Sequence, residues 1–151
     1  MSKNTYVALL RGIMPMNPNM QSAKLKFAFE EMGFKNVRTV IASGNVIFES
    51  SSEDVKALEA KIEKALPELL GFSSSTIVKS RDDIEKLIEK NPFKNVNSGK
   101  PNVTFFKQTP KKSELPEGDK YFKSYGLVQG AFCYTVDSNT IKTPEAMFTL
   151  E

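Results

Sequence analysis

The sequence predicts an α+β protein: a ferredoxin-like βαββαβ antiparallel sheet with two helices on one face, followed by a second, incomplete α/β unit. Three observations carry this. Two short β-branched runs, residues 37–42 and 45–49, flank Ser43-Gly44-Asn45, the composition of a tight hairpin. An amphipathic stretch with apolar residues at helical spacing stands on either side of that hairpin. A further strand-like run opens and closes the set, which gives the order strand, helix, strand, strand, helix, strand. A two- or three-residue hairpin between the middle strands forbids a parallel connection there and disfavours an all-parallel doubly wound sheet.

The elements follow in chain order. Residues 5–10 (TYVALL) are apolar or β-branched at nearly every position, as expected of a central strand buried on both faces, and they end at Arg11-Gly12. Residues 13–19 contain Pro15 and Pro18 and form a loop, in which Asn17 or Asn19 suits a helix cap. Leu25, Ala28, Phe29 and Met32 then mark a helix over residues 20–32, with Gly33 placed for a left-handed C-cap. After the hairpin, Ser50 and Glu53 have capping-box spacing, and Val55, Leu58, Ile62, Ala65 or Leu66, and Leu69 form the stripe of a second helix. Residues 75–79 are the fourth strand.

The chain is divided here into residues 1–80 and residues 81–151. In the second part Ser80 and Asp83 cap a helix whose apolar residues are Ile84, Leu87 and Ile88, and Asn91-Pro92 stops it. Residues 103–107 and 131–136 are strands, the latter with Phe132, Tyr134 and Val136 on one face. Thr143-Pro144-Glu145 is a good helix start, so either a two-turn helix docks at once or the native polypeptide continues past Glu151.

Composition narrows the chemistry. The chain has no His and a single Cys, which removes imidazole-dependent nucleophilic catalysis and leaves no set of zinc ligands; no metal and no cofactor is expected. Cys133 reads as a packed core thiol, and the lack of any internal disulfide fits a cytoplasmic protein. A net charge of +3 is too small to imply nucleic acid. No apolar run approaches the roughly 20 residues of a membrane helix. Acids such as Glu59 and Glu63, with Lys64 nearby, read as solubility chemistry on a helix face, so catalysis is not supported and no catalytic residue is assigned.

The best candidate site follows from topology. In the expected sheet the first strand ends where the hairpin turns and the first helix begins, so Arg11, Gly12, Asn19 and Ser43-Gly44-Asn45 share one edge. A guanidinium beside a helix start and a Gly-Asn turn suits a small anion, phosphate or carboxylate. Arg38, on the second strand, either joins that site or simply faces water. The turn residues have an equally good reading as turn chemistry with no ligand. The alternative function is an interaction module that uses an open sheet face or edge for protein or nucleic acid. Tyr6 and Phe48, on the first and third strands, are the only aromatics available there to stack bases, and the basic-glycine-aromatic signature of RNA-binding strands is missing. Oligomeric state is not legible.

Three segments together, Ala8-Leu9-Leu10-Arg11-Gly12-Ile13, then Met32-Gly33-Phe34-x-Asn36-Val37-x-Thr39, then Ser43-Gly44-Asn45-Val46-x-Phe48, resemble the bacterial domain-of-unknown-function 1697 family. The resemblance implies the ferredoxin-like fold and no established reaction. Two departures from the family pattern stand out. Met14 and the loop PMNPN replace an Asn and a Gly-rich loop, and a C-terminal Thr-x-Arg-Asn motif has no counterpart in residues 143–151.

Overall fold

The computed structural model describes residues 4–40, 44–96 and 99–137. The predicted helix start at Thr143 and the turn residue Ser43 lie outside the described residues. Two compact units divide the chain, Met1–Ile84 and Glu85–Glu151.

In the first unit β1 (Asn4–Leu10), α1 (Ser22–Glu31), β2 (Lys35–Val40), β3 (Asn45–Ser50), α2 (Val55–Leu70) and β4 (Thr76–Ser80) follow one another. The sheet order is β2-β3-β1-β4, and every neighbouring pair is antiparallel. This is the ferredoxin-like arrangement predicted from the sequence. Alternation along the strands puts Tyr6, Ala8, Leu10, Val37, Val46, Phe48 and Val78 on one face, where they form a single core with Leu25, Ala28 and Phe29 of α1 and Leu58, Ile62 and Leu66 of α2. β1 differs from the expectation of burial on both faces. Val7 and Leu9 are only half-buried because both helices lie on the side of Tyr6 and Ala8.

Local chemistry sets the element ends. α1 closes in a Schellman motif: Gly33 has φ +91°, Phe34 N–H donates to Phe29 O (3.3 Å) and Gly33 N–H to Glu30 O (2.9 Å). The hydrophobic contact of that motif is the Phe29–Phe34 ring pair, 5.9 Å apart. The expected box at Ser50 and Glu53 is replaced by Asp54 as the N-cap of α2, whose Oδ1 accepts from Ala57 N–H at 3.1 Å. Ser50 instead accepts from Ser52 N–H, which holds the chain in a turn ahead of the helix. At the other end Leu70 is buried and Leu69 is 37% exposed. Between β2 and β3 the register shifts at Lys35/Arg38, and Asn36 there takes φ 47°, a left-handed conformation that Asn tolerates.

The reading of Glu59 as a surface acid is corrected. Its side chain is 4% exposed, and Oε2 accepts from Val78 N–H at 2.9 Å. Oε1 lies 3.2 Å from Lys56 Nζ. One turn along α2, Glu63 Oε1 accepts from Thr76 N–H at 3.4 Å. β4 is an edge strand, and the N–H groups of Thr76 and Val78 point away from β1. The two carboxylates of α2 therefore cap a sheet edge that would otherwise offer donors to another strand. Glu59→Ala should cost about 1–3 kcal/mol, the penalty of leaving a shielded N–H without an acceptor, whereas Glu59→Gln, which keeps an acceptor, should lose less than half of that. Urea midpoints of the two variants check this; equal losses would show that Glu59 acts through its charge and not through the edge bond.

The boundary between the units falls within α3 (Arg81–Lys90), whose start is capped as predicted by Ser80 Oγ accepting from Asp83 N–H at 3.1 Å. The strands of the second unit are β5 (Lys100–Thr104), β6 (Phe122–Val128) and β7 (Ala131–Val136), antiparallel in the order β5-β7-β6. β6 has no counterpart in the sequence reading. Its Gly126 interrupts the β pattern at a register shift, and the hairpin to β7 turns on Gln129-Gly130, both at positive φ. Phe122, Phe132 and Tyr134 form the core of this unit with Phe106 and Leu115 against them, and Phe122 meets Tyr134 edge-on at 6.2 Å. Cys133 is fully buried on the middle strand, and burial raises its thiol pKa, as fits a packed core cysteine.

Candidate functional site

β1 carries the first half of the predicted site to the end of the sheet. Past Leu10 the backbone of Arg11 is held on both sides: its N–H donates to Ser75 O at 3.0 Å, and its carbonyl accepts from Ser74 Oγ at 2.7 Å. Gly12 follows at φ +74°, and both residues are exposed. The hairpin brings the second half. Leu10 N–H donates to Gly44 O at 3.0 Å, and Asn45 pairs with Leu9 on one side and Val40 on the other. Gly44 has φ +84°, and a Cβ placed on it would stand 2.6 Å from Ile13 Cγ1. Gly44 thus lets the turn close onto the loop that follows Arg11.

Arg11, Gly12, Gly44 and Asn45 therefore meet at one end of the sheet. Asn19 belongs to the far side of the loop: a 3-10 turn over Pro18–Met20 is capped by Asn17, whose Oδ1 accepts from Asn19 N–H at 3.0 Å. The expected role of Asn17 as a cap is met at this turn, while α1 itself starts after Gln21 with no side-chain cap. Met14 N–H, 3.3 Å from Met20 Sδ, ties the start of the loop to its end.

Arg38 lies elsewhere. It pairs with Ile47, and from there the register places it four residues along and two strands across from Arg11, roughly 16 Å between Cα atoms. It lines a groove of about 610 Å³ at the β2 edge together with Asn36, Ile47, Glu49 and Thr5 of the sheet, and with Arg81. Lys26 and Glu30 of α1 also border it, joined in an ion pair of 2.8 Å. None of Arg11, Gly12, Gly44 or Asn45 borders that groove. The sequence reading did not anticipate it, because Arg81 and Glu49 reach the same face as Arg38 only through strand register.

The stacking platform considered for nucleic acid is absent at Tyr6 and Phe48. Both point to the helix side, 4% and 0% exposed, with Tyr6 Oη donating to Ser52 O at 2.7 Å. No described helix is long and apolar enough to cross a membrane.

The family model of DUF1697, described as a protein of unknown function, matches residues 3–125. The chain belongs to the DUF1697 family. The three segments that carry the DUF1697 resemblance fall in this chain at identifiable structural points: the end of β1, the Schellman end of α1 with the bulge at Asn36, and the start of β3 with Phe48. Among solved structures, a conserved bacterial protein, SP0830 from Streptococcus pneumoniae, is similar with a TM-score of 0.70 and 20% identity. The match covers 91% of this chain and 79% of that one, and it shows a shared fold. None of the curated proteins matches the chain.

Proposed function

We propose that the chain binds a small anionic ligand, a phosphate or a carboxylate, at the sheet end formed by Arg11, Gly12, Gly44 and Asn45. The observation that supports this best is the double anchoring of Arg11. Its N–H and carbonyl are both bonded to the Ser74-Ser75 segment, so the guanidinium extends from a fixed point at an exposed sheet end. A planar guanidinium presents paired donors that match two oxygens of a carboxylate or phosphate, and a fixed origin lowers the entropy lost on binding. Gly12, exposed and without a side chain, keeps the backbone beside it accessible to a ligand, whereas the buried Gly44 shapes the turn behind it.

A panel of inorganic phosphate, nucleotides and mono- and dicarboxylates, read by melting temperature, tests this. One class should raise Tm with saturation, by an amount equivalent to about 2.7 kcal/mol when the ligand is at one hundred times its Kd. Arg11→Ala should abolish the shift while leaving the Tm of the free protein nearly unchanged. A panel with no saturable member, or a shift that survives in Arg11→Ala, rejects the site.

A further inference from the structure

The groove at the β2 edge carries charges of both signs on one small surface. Lys26 and Glu30 neutralise each other across its rim at 2.8 Å. Arg38 and Glu49 line it without an ion pair or hydrogen bond from either side chain among the described residues. Arg38 stands opposite Ile47, and Glu49 is two residues further along β3, so the two are diagonal neighbours about 7–8 Å apart, each with its charged end turned to the groove and not to the other. Ile47 lies between them as an apolar floor, with Thr5 and Asn36 as neutral polar groups at its sides. Arg81 adds positive potential from the start of α3.

We propose that this groove binds a small molecule carrying a carboxylate and an ammonium together, an α-amino acid or a short peptide. The carboxylate takes the guanidinium of Arg38, and the ammonium takes the carboxylate of Glu49. Ligands of one sign fit less well. A phosphate placed on Arg38 faces Glu49 and Glu30, and a simple amine placed on Glu49 faces Arg38 and Arg81. A molecule with both charges satisfies both side chains at once. At about 610 Å³ the groove has the size of an ordinary small-molecule site. It shares no lining residue with the sheet end around Arg11, so the two readings stand or fall separately.

Calorimetric titration of the whole chain with the free amino acids and a set of di- and tripeptides tests it. N-acetylated and C-amidated forms of each hit serve as one-charge controls. At least one zwitterion should bind saturably and its blocked forms should not; the contrast between amino acids and peptides identifies the source. Arg38→Ala and Glu49→Gln should each weaken binding about tenfold or more, since each removes one charge-assisted contact, while Arg11→Ala leaves it unchanged. Both positions are solvent-accessible on the sheet surface, so neither change threatens folding, which the unaltered Tm of each variant would register. The proposal is overturned if no zwitterion binds, if a blocked form binds equally well, or if Arg11→Ala removes the binding that Arg38→Ala spares.

Discussion

Phe48→Ala should lower the stability of the first unit by about 3–5 kcal/mol, the largest loss expected from any single truncation in its sheet. Phe48 is fully buried and sits at the centre of an aromatic cluster, its ring 4.4 Å from Phe34, 5.6 Å from Phe29 and 5.7 Å from Tyr6. Those partners come from β1, from the end of α1 and from the segment leading into β2. Truncation therefore opens a cavity where three elements meet, and the backbone ladder on both sides of β3 keeps it from collapsing. A total stability of about 5–15 kcal/mol would be cut by about a fifth or more, with Tm falling by at least about 12 °C. Urea unfolding followed by far-UV dichroism measures it. A loss below 1 kcal/mol would mean that the cluster does not carry the core.

Gly44→Ala should cost about 2–5 kcal/mol although it adds a single carbon. Two terms contribute. At φ +84° an alanine pays about 1–2 kcal/mol for a left-handed conformation. Its Cβ would also lie 2.6 Å from Ile13 Cγ1 and 3.0 Å from Leu10 O. The Ile13 side chain can shift, but Leu10 O belongs to the backbone of β1 and cannot, and overpacking of this kind costs about 1–3 kcal/mol. A double-mutant cycle with Ile13→Ala isolates the contact with Ile13: Gly44→Ala should be milder in the Ile13→Ala background by that part, and the conformational part and the approach to Leu10 O should remain. Additive losses would assign the effect to backbone conformation and the approach to Leu10 O, with no part from Ile13. The same close approach positions the Arg11 loop, so Gly44→Ala should also impair any anion binding at the sheet end.

How far the site could be read from the chain depends on which contacts are local. Arg11-Gly12 and Gly44-Asn45 were grouped from topology alone, since the end of the first strand and the start of the third share an edge once the strand order is known. The bulge at Asn36 is not legible in the chain, because a bulge depends on the partner strand it is measured against. The groove around Arg38 was invisible for the same reason: Arg81, Glu49 and Thr5 are separated in sequence and share a face only through the pairing of β1 with β3 and β4. Glu59 was misassigned because its spacing from Glu63 and Lys64 is that of a solvated helix face. What buries it is a free strand edge that no helical periodicity reveals.

The sequence by itself determined the element order of the first unit, the antiparallel pairing of the hairpin, the end of α1 at Gly33 and the cap at Ser80. All are set by residues within a few positions of one another, where φ preferences and side-chain-to-backbone bonds act before any packing. Tertiary structure decided the rest. It turned Tyr6 and Phe48 into the core, buried Leu70 in place of Leu69, and added β6 despite Gly126. Each of these depends on which face meets a helix or which strand lies alongside, and burial and register are properties of partners that are distant in the chain.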